Sequence, residues 1–69
     1  GHSYVTNPDL GITDIRLFDL AGREVARVSD SEQLQQSEIP LPIAQLPAGT
    51  YCAVISQSNQ LIYKKLQIE

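Results

Sequence analysis

The 69-residue sequence has few of the side chains that usually carry chemistry. It contains no Trp and no Met, and its one His, His2, lies almost at the N terminus. With a single Cys, Cys52, it has no intrachain disulfide and cannot assemble a zinc site or a Cys/His nucleophile. Its glycines are isolated, so no phosphate-cradling loop is present. These absences argue against an enzyme, a cofactor or a bound metal.

Basic residues are also scarce, since five Lys and Arg face eight Asp and Glu, for a net charge of −3. This balance argues against binding nucleic acid or an anionic membrane surface, both of which require clustered cations. No apolar run approaches the ~20 residues that span a bilayer, and we expect any signal peptide to belong to a part of the protein that precedes these residues. The carboxylates are spread over turns and strand ends. A solvated surface is therefore favoured over an acid–base pair.

The length is enough for one domain, which at this size buries only about 60% of its unfolded surface. With one Phe, the core must come from Ile, Leu, Val and Tyr. Stability then requires either a very regular sandwich or strands shared with a second copy. The segment 1–3 (GHS) resembles an expression scar. We expect a single β domain over 4–69 of a longer protein.

The segment 46–55 (LPAGTYCAVI) reads as a tight turn that leads into a strand. Pro47 suits position i+1 of a type I turn and Gly49 suits i+3. The strand carries no charge on either face, which predicts a central position in its sheet. Tyr51 is placed as in a tyrosine corner, and its hydroxyl is expected to bond backbone near Leu46. For Cys52 we favour burial, while partial exposure on the outer face stays open.

Alternation of apolar residues predicts further strands at 4–6, 12–20, 24–28, 39–43 and 61–68. Asp19 and Gly22 lie in a short loop that predicts a bulged hairpin. For 29–38 a solvated loop that crosses between sheets is favoured over one helical turn. The prolines of 39–43 confine that strand to a sheet edge. The predicted fold is an all-β, antiparallel, immunoglobulin-like β-sandwich of about six to seven strands with no helix of note.

The last strand places Lys64 and Lys65 on opposite faces. Lysines on an edge strand deter unwanted strand pairing, and the spacing alone favours this explanation. The alternative is that the two lysines recognise a partner.

Three segments taken together resemble one protein family. They are an Asp-Leu-x-Gly-Arg hairpin at 15–25 (IRLFDLAGREV), a Leu-Pro-x-Gly-x-Tyr turn and strand at 46–55, and a closing Lys-hydrophobic strand at 63–68 (YKKLQI). In this order they resemble the C-terminal sorting domain of the Bacteroidetes type IX (Por) secretion system. The resemblance covers residues 12–69.

The resemblance implies an export address rather than an activity. It implies recognition by the outer-membrane translocon, with a shuttle protein and a sortase-like peptidase as further partners. It implies passage through the periplasm and arrival at the outer membrane or cell surface, or secretion. The surface expected to be recognised joins the turn to the last strand, and its residues are Pro47, Gly49, Tyr63, Lys64, Lys65, Leu66 and Ile68.

The sequence departs from the family at its start, where only Asn7-Pro8 remains of a Tyr-Pro-Asn-Pro-like segment. Two explanations stay open: the sequence begins inside the full domain, or its first strand is truncated. Either would leave a sheet edge unfilled and permit a strand-swapped homodimer. Val54 stands where the family often has a charge. Two other functions stay open: a retained immunoglobulin-like structural or docking module, and, more weakly, a carbohydrate-binding sandwich. The expected position at a C terminus favours the export signal over the structural module.

Overall fold

In the computed structural model, which describes residues 4–69, the chain is built from short β-strands and one helical turn. The elements are β1 (Tyr4–Thr6), β2 (Ile12–Phe18), β3 (Glu24–Val28), α1 (Ser31–Leu34), β4 (Glu38–Pro40), β5 (Gly49–Gln57) and β6 (Gln60–Ile68). Strands 1 and 4 form a small sheet, and the others form a second sheet in the order β3-β2-β5-β6. All pairings are antiparallel. The predicted all-β sandwich is confirmed, with six strands in the part described.

Strand β5 lies inside the four-stranded sheet, between β2 and β6, as its apolar faces predicted. Its inner face packs into the core, where Ile55 is 2% exposed and faces Ile15 of β2 at 0%. Leu17 and Ile39 are also fully buried. The core therefore lies between the two sheets and is built from aliphatic side chains, which is why the chain needs neither Trp nor Met to fill it.

The β2–β3 hairpin has the predicted bulge and a glycine at positive φ. The register shifts between Leu17 and Phe18, and Gly22 has φ +84°. One Asp19 carboxylate oxygen accepts the backbone amides of Ala21 and Arg23, both at 2.9 Å. The other oxygen accepts from the Arg23 guanidinium at 3.0 Å. Asp19 thus closes the loop that Gly22 allows the backbone to make.

The connection from β3 to β4 differs from the favoured prediction. The segment 29–38 does cross between the sheets, but it contains the single helical turn α1 rather than only a loop. The Asp30 carboxylate caps this turn by accepting from the Glu32 amide at 2.9 Å. Leu34 is 7% exposed and joins the core. One buried leucine and one cap stabilise a turn that composition alone did not favour.

The proline-rich strand is shorter than predicted. It ends at Pro40, and Ile43 instead begins a turn closed by the Leu46 amide, which donates to the Ile43 carbonyl at 3.0 Å. Its pairing with β1 in a two-stranded sheet agrees with the predicted edge position. The prolines lack the amide donors that a longer ladder requires.

Asn7 joins three parts of the chain and is the buried polar residue of the core, at 0% exposure. Its side-chain amide donates to the carbonyls of Leu34 at 2.8 Å and Gln36 at 3.1 Å. Its side-chain oxygen accepts from the Ile12 amide, and its own amide donates to the Ser37 carbonyl. Asn7 therefore ties the end of β1 to the helical turn and to the start of β2.

Candidate docking surface

Strand β6 is an edge of the four-stranded sheet, with its backbone paired on one side only in the part of the chain described. A two-residue loop joins it to β5, with Ser58 at φ +47° and Asn59 at +68°, as in a type I′ hairpin. In such a hairpin the flanking pair, Gln57 and Gln60, is hydrogen-bonded, and bonding alternates from there. The even-numbered residues of β6 therefore bond to β5. The odd-numbered residues 61, 63, 65 and 67 direct their N–H and C=O groups outward.

The side chains of β6 divide between two faces as predicted. Lys64 lies opposite Ala53 and Leu66 opposite Tyr51, so both point to the inner face that carries the core. Tyr63 lies opposite Val54 and Lys65 opposite Cys52, on the outer face. The two adjacent lysines therefore flank the same edge from opposite sides of the sheet.

These lysines differ from the arginines in their ion pairing. Arg16, Arg23 and Arg27 each form an ion pair, at 3.0–3.1 Å, with Asp14, Asp19 and Glu24 respectively. Among residues 4–69 no ion pair includes Lys64 or Lys65. Both side chains are exposed. In a chain with an acidic net charge, the cations that lack an acidic partner thus lie together at the β6 edge.

The segment 47–49 that leads into β5 lies beside the end of this edge, because Gly49 pairs with Ile68. The Tyr51 hydroxyl donates to the Pro47 carbonyl at 2.6 Å, which confirms the predicted tyrosine bond. The predicted turn is displaced, since the hydrogen-bonded turn is the one at Ile43–Leu46, three residues earlier. Gly49 has φ +154°, a conformation that side-chain-bearing residues rarely adopt.

A groove opens between β6 and the small sheet, with a volume of about 490 Å³. Ala53 and Ile55 of β5 line it together with Leu66, and both lysines reach it from the edge. Residues of β1 and the segment that follows β4 form its other wall: Tyr4, Val5, Thr6 and Leu41. The groove is therefore apolar within and basic where it meets the free edge of β6.

The outer face of the four-stranded sheet is also apolar. Leu20, Leu61 and Tyr63 are 81%, 55% and 65% exposed, and Val54 lies between them on β5. Cys52 lies on this face and is half-buried, so the favoured full burial is wrong and the outer-face alternative is closer. Val54 contributes apolar surface to this face.

Within residues 4–69 no three His, Cys, Asp or Glu side chains converge as a metal site would require. The backbone amide of Arg23, more than its guanidinium, lowers the pKa of the Asp19 carboxyl, but this carboxylate closes a hairpin. No helix in the described chain is long and apolar enough to cross a membrane.

The structure brings together most of the predicted recognition residues. Gly49 and Ile68 pair directly, and Tyr63, Lys64, Lys65 and Leu66 follow along the same strand. Pro47 precedes this pair and is held by Tyr51. Sequence reasoning missed the groove behind the edge, because it depends on how far β1 lies from β6. The two-residue spacing of Lys64 and Leu66 predicted that they share a face of the strand, but not that this face borders a groove.

The described residues form a small antiparallel sandwich in which the edge strand β6 carries two unpaired lysines beside an apolar groove. The profile of the family described as secretion system C-terminal sorting domain matches residues 4–69. The chain belongs to this family, the sorting domains of type IX secretion, and is a secretion-sorting signal that acts with the secretion machinery. Neither a search of curated proteins nor one of solved structures found a match.

Proposed function

We propose that this domain is the address by which the outer-membrane translocon of type IX secretion recognises and exports an attached cargo. The family implies export to the cell surface or secretion. The observation that supports the finer assignment is the free edge of β6, which carries Lys64 and Lys65 and ends at Ile68, opposite Gly49. A folded sandwich presents this edge in a fixed geometry. A partner can therefore read it without ordering a flexible tail.

The route we propose begins in the periplasm, where the domain holds its folded form at the end of the cargo. The translocon then recognises the turn and the last strand, with a shuttle protein as a further partner. A sortase-like peptidase removes the domain and attaches the cargo to the surface. In this route the domain carries no catalytic step of its own and supplies only shape, backbone hydrogen-bonding groups and charge.

The test is a fusion of residues 4–69 to a periplasmic reporter, expressed in a type IX-competent bacterium with and without a working translocon. We expect the reporter to reach the surface only when the translocon works. The reporter's size then shows whether the domain was removed. A reporter that stays in the periplasm in both strains would contradict the proposal.

Deletion of residues 63–69 should abolish export, because it removes both lysines and most of the free edge. A K64Q/K65Q variant should reduce export while the thermal melt of the domain stays unchanged, which separates recognition from folding. R23Q/R27Q removes the same charge at the opposite edge of the sheet and is the control for net charge. Because it also breaks the ion pairs with Asp19 and Glu24, its export is compared at a temperature at which its thermal melt shows it folded. Normal surface display of the deletion variant would refute the role of this edge.

The outer face supports a second function, a retained docking module. Leu20, Leu61 and Tyr63 expose apolar surface. Exposed apolar patches mark interaction sites, and a signal that is removed after export has no use for a second one. In that case the reporter fusion would reach the surface at full length and remain so. A strand-swapped homodimer is the third proposal for this chain, and sedimentation of the purified domain measures it directly.

A further inference from the structure

The free edge of β6 has a chemistry that specifies its partner more closely than the family does. Its outward-directed backbone groups belong to Leu61, Tyr63, Lys65 and Gln67, as the alternation from the hairpin requires. A strand added here would complete the sheet by backbone hydrogen bonds. The added strand would also pass over the open groove, so alternate side chains would enter it.

We propose that this edge takes up an extended, acidic segment of a partner protein as an additional antiparallel strand. The argument for an acidic segment is charge complementarity. Lys64 points into the groove and Lys65 to the outer face, and neither is in an ion pair within residues 4–69. Cross-strand pairs of opposite charge stabilise a sheet. Two successive acidic residues, one on each face, match the two lysines.

The register gives the rest of the motif. Residues opposite Leu66 and Ile62 face inward, where the groove is lined by Ala53 and Ile55, so they should be apolar. The residue opposite Tyr63 faces outward and is less restricted. Read in the antiparallel direction, which every pairing of this sheet follows, the segment is apolar-acidic-acidic-any-apolar.

A second copy of the chain fits this edge poorly. Lys64 is the central residue of β6, so the antiparallel register with the greatest overlap places Lys64 of one copy opposite Lys64 of the other. Like charges in directly opposed positions destabilise a strand pair. The same lysines that favour an acidic partner therefore disfavour self-association through this edge.

The inference deepens the proposed function and rests on it only for the kind of protein that supplies the segment. The probe is a nine-residue peptide, TTVEEYVTT, added to the ¹⁵N-labelled 69-residue chain. We expect slowed amide hydrogen exchange at residues 61, 63, 65 and 67. Amides 62, 64 and 66 should not change, because they already bond to β5. Absence of this odd–even pattern would overturn the proposal.

Charge variants test the acidic requirement. TTVQQYVTT, or the K64Q/K65Q protein with the original peptide, should bind about five- to tenfold more weakly, and added salt should weaken the original pair. R23Q/R27Q should leave the affinity unchanged. K64E/K65E should prefer TTVKKYVTT. Equal binding of the glutamate and glutamine peptides would contradict the acidic assignment.

The other occupants have distinct signatures. If amides 61, 63, 65 and 67 become protected without peptide as the protein concentration rises, a second copy fills the edge and the proposal fails. If a chain extended at its N terminus protects them at any dilution, its own segment fills the edge and the proposal also fails. If the reporter is exported only with a working translocon but the peptide does not pair with β6, this inference is refuted and the proposed function stands. If the peptide pairs with β6 but the reporter stays in the periplasm, the proposed function is refuted and this inference stands.

Discussion

Strands β5 and β6 have the same length and pair with each other from end to end, yet their surroundings are opposite. Each has nine residues. In β5 the residues Tyr51, Ala53, Val54 and Ile55 are buried, whereas every residue of β6 is exposed or half-buried. The difference arises because β5 has neighbours on both sides and β6 on one. Pairing alone does not fix a strand's role. β5 is buried in the core, whereas β6 leaves the backbone groups of its odd-numbered residues without a strand partner in the described chain.

The comparison breaks if equivalent truncations in the two strands have equal effects. Ile55→Ala should lower the free energy of unfolding by about 2–5 kcal/mol, since it leaves a cavity in the core. Leu61→Ala, at a side chain 55% exposed, should stay within about 0.5 kcal/mol. Urea unfolding measures both. Because Ile55→Ala can leave too little folded protein, Ile55→Val provides a milder step of about 0.5–1.5 kcal/mol.

Asn7 tests the surroundings of β6 further, because its hydrogen bonds fix the end of β1, and β1 forms the far wall of the groove beside β6. Asn7→Ala removes three side-chain hydrogen bonds and leaves buried backbone groups without partners. We expect a loss of about 2–4 kcal/mol in urea unfolding. Gln36→Ala is the control, since its exposed side chain is lost while its carbonyl remains. If Asn7→Ala is as stable as the control, the hydrogen bonds of Asn7 do not stabilise the fold as proposed.

Gly49 lies where β5 begins and β6 ends. Gly49→Val should lower stability by about 1–3 kcal/mol, and in so small a domain unfold much of it, because φ +154° is strained for a β-branched residue. Space is not the obstacle, since a Cβ there would meet only the Tyr51 ring at 3.9 Å. Thermal melting, with the exposed neighbour Ala48→Val as control, tests this. An unchanged Tm for Gly49→Val would contradict the proposed backbone strain at this position.

The smallest effect is expected at the β2–β3 hairpin, on the opposite side of the sheet from β6. The pKa of Asp19 is held below its ordinary 3.8, chiefly by the Arg23 amide. Its contribution to stability is therefore present above that value and lost as the pH falls through the lower folded value. Asp19→Asn should be slightly less stable at neutral pH, and the gap should close in acid. Thermal melts across pH, repeated at high salt, measure it.

Local sequence signals predicted the faces of the strands well. Alternation along β5 and β6 assigned Lys64 and Lys65 to opposite faces, and a period of two requires no knowledge of the neighbours. Gly22 and Asp19 predicted the bulged hairpin for the same reason, because both act within a few residues. The positions on the sheet of most residues of the proposed recognition surface could thus be predicted from the sequence.

Signals that depend on distant residues were missed. Asn7 bonds to the Leu34 carbonyl, 27 residues away, whereas in the sequence it was noted only as the remnant of a Tyr-Pro-Asn-Pro-like segment. Leu34 alone could not predict α1, since one apolar residue gives no helical period. The displaced turn at Ile43–Leu46 shows the same limit, because a proline and a glycine suit several neighbouring turns.

The sequence by itself determined an acidic, all-β module with a hairpin-closing Asp19, a central β5 and a tyrosine whose hydroxyl bonds to the backbone just before that strand. These features follow from side-chain periodicity and from backbone preferences that act over a few residues. Only the tertiary structure decided that the edge beside Lys64 and Lys65 opens onto an apolar groove. That groove depends on the separation of β1 and β6, which are distant in the chain, and long-range packing rather than local preference sets such a separation.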